Sequence, residues 1–259
     1  MSVFVPGERG PRARPPTRTR NGSYFEANTN SNCSRHENKP FSATLLQVAT
    51  DLIEIDPENP GMRAIERAAA AVRRGEVVAI PTDALYTLVA DPLNLHAVGR
   101  VFSAKGREPQ RSLPLLVIDV VMAEELAKEV SARFYLLARH FWPGALTIIA
   151  PASSRVPLKV TGNTGRLAMR QSRSKVANAL LERLGQPLIS TSANISGQPT
   201  CASGIEVFGV MDGRVDLVLD GGLATGTGAT TIDVTEPYWK VIREGSIAEK
   251  DIAEILKGT

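Results

Sequence analysis

The 259-residue chain is 43% hydrophobic and 22% charged, the balance of a soluble globular protein, and its formal net charge is +3. That length leaves ample chain for a core in one large or two small domains. No run approaches 18 consecutive apolar residues, which excludes a membrane-spanning helix, and two cysteines, Cys33 and Cys201, define neither a disulfide framework nor a zinc site.

The charge is unevenly divided. Residues 1–44 hold seven basic and three acidic residues, a local charge of +4, so residues 45–259 stand at −1. The basic isoelectric point therefore belongs to the tail, and the body shows no overall nucleic-acid signature. Residues 1–40 are rich in Pro, Gly, Asn, Ser and Arg without a hydrophobic period, and such a segment cannot bury enough apolar surface to offset its ordering entropy. Residues 1–44 are thus expected to be a disordered extension and residues 45–259 the folded domain. The N-terminus has no apolar h-region, which argues against secretion and for a cytoplasmic protein.

Leu52 to Ile55 reads as a first strand. Residues 62–74 (MRAIERAAAAVRR) read as a helix with Met62, Ile65, Ala68, Ala69 and Val72 on one face and Gly75 at its end. Val77 to Ile80 is a continuous apolar strand that Pro81 must end or place at an edge. The polar turn Thr82-Asp83 follows, then a second apolar run, Leu85 to Ala90. Asn94 is positioned to cap a helix whose apolar residues Leu95, Val98, Val101 and Phe102 recur at helical spacing.

That helix stops near Lys105-Gly106-Arg107. In an extended segment residues two apart point to the same side, so both cations can converge on one anion. Leu113 to Ile118 reads as a strand, 121–128 and 132–141 as helices, and Ala145 to Ala150 as a buried strand. Leu167 to Arg170 is a short strand. Ser174 can cap a helix running to Leu184 and closed by Gly185, and Pro187 to Thr191 is a further strand before the turn Ser192-Ala193-Asn194.

Val215 to Leu219, Thr230 to Val234 and Trp239 to Arg243 are three more strands. The glycine-rich segment 221–228 between them reads as a plain connection, because Gly226-Thr227-Gly228 has neither the third glycine nor the helix of a dinucleotide fingerprint. A last helix is expected from Ser246, with Glu249 completing a capping box. Helices and strands alternate throughout, which argues an α/β fold.

Taken in order, Pro81-Thr82-Asp83, Tyr86-Thr87-Leu88, Lys105-Gly106-Arg107, Trp142-Pro143-Gly144-Ala145-Leu146-Thr147, Arg166-Leu167-Ala168-Met169-Arg170 and Ser190-Thr191-Ser192-Ala193-Asn194-Ile195-Ser196-Gly197 resemble the YrdC/TsaC family, the threonylcarbamoyl-AMP synthases. The resemblance spans roughly residues 62–247. It implies a twisted, partly mixed sheet with flanking helices curved around a concave cavity, in the short, single-domain form of the family. It further implies that ATP, L-threonine and bicarbonate give threonylcarbamoyl-AMP and diphosphate, the first step of tRNA N6-threonylcarbamoyladenosine synthesis. A downstream tRNA threonylcarbamoyl transferase would take the product.

Carried over residue by residue, Lys105 and Arg107 would be catalytic and would neutralise ATP phosphates. Ser192 and Asn194 would bond the phosphates from the opposite wall, and Arg243 would lie near the nucleotide. Arg170 would hold the threonine carboxylate as a guanidinium fork does, with Thr230 and Thr82 beside it. Mg2+ would arrive on the phosphates, since no carboxylate cluster offers a metal cage. A carbamate is already anionic, so positioning and charge neutralisation suffice and no histidine is required; His36, His96 and His140 read as surface or satisfied residues.

Three positions depart from the family pattern: Ala84 stands where Thr is frequent, Thr87 where Gly is usual, and Glu108 where Pro is common. The rival reading is a double-stranded RNA- or tRNA-binding module of the same fold without adenylation, with weak RNA contact through the basic cavity and tail. The near-neutral body counts against it.

Overall fold

A computed structural model of the chain describes residues 49–258. The expected extension over residues 1–44, with Cys33 and His36, lies outside the described residues.

Short apolar runs and capped amphipathic segments set the elements. Strand β1 (Asp51–Glu54) precedes helix α1 (Met62–Arg73), whose buried face is Ile65, Ala68, Ala69, Ala71 and Val72. Met62, expected on that face, is 70% exposed in the first turn. Gly75, at φ +80°, lets the chain turn back into β2 (Val78–Ile80), which is buried along its whole length. After β3 (Thr87–Val89), helix α2 (Leu95–Lys105) begins where the Asn94 side chain accepts from the backbone N–H groups of His96 and Ala97. It ends at Gly106 in the left-handed conformation, φ 56°.

Strand β4 (Leu115–Leu116) leads to α3 (Val120–Leu126), α4 (Ala132–Phe141), β5 (Leu146–Pro151) and β6 (Arg166–Arg170). Helix α5 (Lys175–Leu184) has the expected Ser174 cap and Gly185 stop. Then come β7 (Leu188–Ile189), β8 (Thr191–Ser192), α6 (Gly204–Met211), β9 (Leu217–Asp220), β10 (Thr230–Asp233), β11 (Lys240–Arg243) and α7 (Glu249–Ile255).

The strands form two mixed sheets, ordered β1-β9-β2-β3-β8 and β11-β10-β5-β6-β4-β7. The sequence predicts Pro187 to Thr191 as one strand, and it is divided at Ser190. Leu188 and Ile189 pair antiparallel with β4, whereas Thr191 and Ser192 pair antiparallel with β3. This one break carries the chain from one sheet to the other and sets the Ser192–Asn194 turn at their junction.

Helices α1 and α5 share an apolar layer with Val78, Ile80, Leu217 and Leu219 of the first sheet. A larger cluster joins Val101 and Phe102 of α2 with Phe134, Leu137, Leu146, Ile148 and Met169. Two helices differ from the sequence reading. Helix α7 starts after Ala248, because the Ser246 hydroxyl donates to Gly228 O at 2.9 Å instead of capping. Helix α6, for which the sequence reading assigns no element, is capped by Ser203, whose Oγ accepts from Glu206 N.

Candidate active site

Where the two sheets meet, a cavity of about 440 Å3 opens. Its walls come from the segment Thr82–Thr87 except Asp83, from Arg107, Arg111 and Pro114, from Thr191 and Ser192, and from Thr147, Arg170, Ala229, Thr231 and Arg243. Four arginines and no carboxylate are among these lining residues, so the space favours anions.

Lys105 does not stand beside Arg107 in the cavity, as two cations converging on one anion would require. It closes α2, is 2% exposed, and is not among the lining residues. Its Nζ donates to Ser192 O, to Asn194 O at 2.9 Å and to Asn194 Oδ1 at 2.9 Å. Ser192 Oγ lies 3.4 Å from the same Nζ and donates to Asn194 Oδ1 at 2.6 Å. The Lys-x-Arg and Ser-x-Asn pairs therefore meet, but they meet by Lys105 anchoring the turn from beneath. The left-handed Gly106 then separates the two cations. Lys105 goes under the turn, while Arg107 reaches the cavity wall.

Burial, and next the nearby Arg107 charge, pull the Lys105 ammonium down to about 8 from its ordinary 10.5, against an opposing pull from Cys201. The folded chain then binds fewer protons than the unfolded one between about pH 8 and 10.5. This group's cost to stability is therefore full below pH 8 and is relieved as pH rises through that window. Anion binding depends on the charged form. Anion affinity of the free protein is therefore expected to fall as pH rises through about 8. Inorganic pyrophosphate binding measured between about pH 7 and 9 checks this; a flat profile contradicts it.

Arg107 donates from Nη1 to Thr191 Oγ1 at 3.2 Å and from Nη2 to Ser112 O at 2.9 Å, while its buried Nε has no partner among the described residues. Asn194 is buried, outside the lining set, and its Nδ2 donates to Gln198 O at 2.5 Å. Ser192 is thus the member of its pair that faces the cavity.

Arg170 lies across from this turn at the end of β6. It is 7% exposed and donates from Nε to Gly144 O at 2.8 Å and from Nη2 to Asp83 Oδ1. The same carboxylate oxygen accepts from the Ser172 hydroxyl. Burial lowers the Arg170 pKa and the Asp83 carboxylate pulls it back up, so the charge is retained by a partner set behind it. Asp83, read from the sequence only as part of a turn, is the residue that aims Arg170.

The other calls divide. Thr82 lines the cavity, and its hydroxyl also donates to Leu85 O at 2.6 Å, fixing the turn. Arg243 lines the cavity and donates to Ala229 O at 2.9 Å. Thr230 does not face the cavity: fully buried, it donates to Ile247 O at 2.6 Å and accepts from Gly245 N and Ile247 N. Its neighbour Thr231 lines the cavity in its place, because successive strand residues point to opposite faces.

A sequence profile for the Sua5/YciO/YrdC family, described as "Telomere recombination", matches residues 70–245. The chain belongs to the Sua5/YciO/YrdC family. It is 36% identical to the threonylcarbamoyl-AMP synthase of Pyrococcus abyssi over 193 residues, 74% of this chain and 57% of that one. It is 32% identical to the Bacillus subtilis threonylcarbamoyl-AMP synthase over 214 residues, 82% of this chain and 60% of that one. The chain thus spans about three-fifths of the length of these two relatives. The crystal structure of P. abyssi Sua5 complexed with L-threonine superposes with a TM-score of 0.78 at 34% identity, covering 80% of this chain and 61% of that one.

Two of the positions singled out in the sequence, Thr87 and Ala84, have visible surroundings. The Thr87 hydroxyl donates to Thr191 O at 2.9 Å and lies 3.0 Å from Ser190 Oγ, so this side chain ties β3 to the sheet junction on the cavity wall. Ala84 is covered by Gly226: a Cβ there would stand 2.2 Å from Ala84 O. The segment 221–228 is therefore more than a connection, since Gly226 must be glycine for the loop to close against the turn that carries Asp83.

Proposed function

We propose that this chain is an L-threonylcarbamoyladenylate synthase acting in the cytoplasm at the first step of tRNA N6-threonylcarbamoyladenosine synthesis. The observation that supports it most is a carboxylate-free, four-arginine cavity in a chain 36% identical to a threonylcarbamoyl-AMP synthase. In that reading the carbamate oxygen of N-carboxythreonine attacks the α-phosphorus of ATP. The new P–O bond forms as the bond to the bridging oxygen breaks, and diphosphate leaves with the electron pair.

Arg107 and Ser192 contact the phosphates. Lys105 and Asn194 hold that wall in place, Lys105 adding positive charge behind it, and Arg243 sits on the nucleotide side. Arg170, aimed by Asp83, takes the threonine carboxylate beside Thr82, while Thr230 holds the loop behind Thr231. Mg2+ comes in on the triphosphate: the cavity walls offer arginines and hydroxyls, and Asp83 is already committed to Arg170 and Ser172. Charge neutralisation in a preorganised site carries the rate, with no general base needed. The product passes to a tRNA threonylcarbamoyl transferase.

Diphosphate release is expected to require both threonine and bicarbonate. Serine should be a poorer substrate by the roughly 1–3 kcal/mol that a small pocket gains from one methyl group. A coupled diphosphate assay checks this, and release that is indifferent to threonine would remove the synthase reading.

A further inference from the structure

The proposed reaction makes no use of Arg111. It lines the cavity on the same wall as Arg107, is exposed, and its side chain has no hydrogen-bond or ion-pair partner among the described residues. Its base is fixed. Arg111 N donates to Glu108 O at 3.1 Å and Leu113 N to Val160 O at 2.8 Å. Gly162 packs so closely that a Cβ there would stand 2.2 Å from Gln110 O. A free cationic arm thus stands on a held loop.

The arm also stands beside a like charge: Arg107 is lowered first by burial and then by Arg111. No carboxylate is among the lining residues to relieve the pair. Two neighbouring guanidinium groups at a cavity mouth, one with a buried Nε that no described residue satisfies, suit an anion with several oxygens.

We propose that Arg111 and Arg107 form a two-arginine clamp for the outer phosphates of the nucleotide, the part that leaves as diphosphate. This rests on the synthase reading for the identity of the anion. Arg111 supplies the outer, exposed half of the clamp and Arg107 the inner half fixed to Thr191 and Ser112.

The test is calorimetric titration of inorganic pyrophosphate into the full chain and into Arg111→Ala, Arg111→Lys and Arg63→Ala, with melting curves for all four. Arg63 is an exposed arginine of α1 outside the cavity and controls for loss of one positive charge. Arg111→Ala should weaken pyrophosphate binding about tenfold, the low end for a charge-assisted hydrogen bond from an exposed arm, with unchanged melting. Arg111→Lys should recover part of the loss, and Arg63→Ala should match wild type.

Equal affinity in wild type and Arg111→Ala overturns the clamp, as does an equal loss in Arg63→Ala. Product formation by wild type is followed separately. A wild type that makes the adenylate while Arg111→Ala keeps full pyrophosphate affinity overturns the clamp alone. One that makes none, yet binds pyrophosphate through Arg111, supports the clamp and overturns the synthase reading.

Discussion

Replacing Lys105 by alanine is expected to lower adenylate formation by about 10²–10³-fold, the scale for losing one preorganised charge stabiliser. It is also expected to lower stability, because Ser192 O, Asn194 O and Asn194 Oδ1 all accept from this ammonium. Stranding buried acceptors costs about 1–3 kcal/mol, which in a domain of this size is a melting shift of several degrees. Ser192→Ala removes one neutral hydrogen bond and should cost only about 0.5–1.5 kcal/mol. The double variant should lose less than the sum, since both residues act through one turn. Rates and melting curves on the three variants check this. A Lys105→Ala protein that melts like wild type would contradict the anchoring role, and one that is fully active would contradict its charge role.

Asp83→Asn should have the second large effect. It removes the charge opposite Arg170, whose side chain is 9% exposed against 17% for Asp83. Breaking one partner of a buried pair costs about 3–5 kcal/mol, and the partial exposure of Asp83 places the expected loss near the lower end. A misaimed guanidinium should then raise the threonine KM by up to about 10²-fold, the scale for an ångström of misplacement, while leaving the ATP KM nearly unchanged. Steady-state kinetics in each substrate give the split. Equal changes in both KM values would mean general disruption and would contradict a positioning role.

The fold was legible where capping residues and apolar spacing agree locally. Asn94 and Ser174 mark true helix starts, and Gly106 and Gly185 true stops. Ser246 with Glu249 presents the same local pattern as a cap, but Gly228 O competes for the hydroxyl. Ser203 with Glu206 was the signal for α6, masked by two glycines and by β-branched residues in a short helix.

The site was legible as a set of residue types, and less so as directions. Lys105 and Arg107 face different ways because the left-handed Gly106 reorients the chain between them. Thr230 and Thr231 exchange places because one residue on a strand changes the face. Asp83 gave no local sign of its role, since its partners Arg170 and Ser172 are 87 and 89 positions away. Burial of Lys105 is likewise a tertiary fact: the two ends of its contact with Ser192 are 87 positions apart.

The most direct measurement is mass analysis of the nucleotide product after the protein is incubated with ATP, L-threonine and bicarbonate labelled with heavy carbon. The account predicts an adenylate containing one threonine and one labelled carbon, formed together with diphosphate and absent when threonine is omitted. An unlabelled adenylate, or diphosphate without any threonine-containing nucleotide, would contradict it.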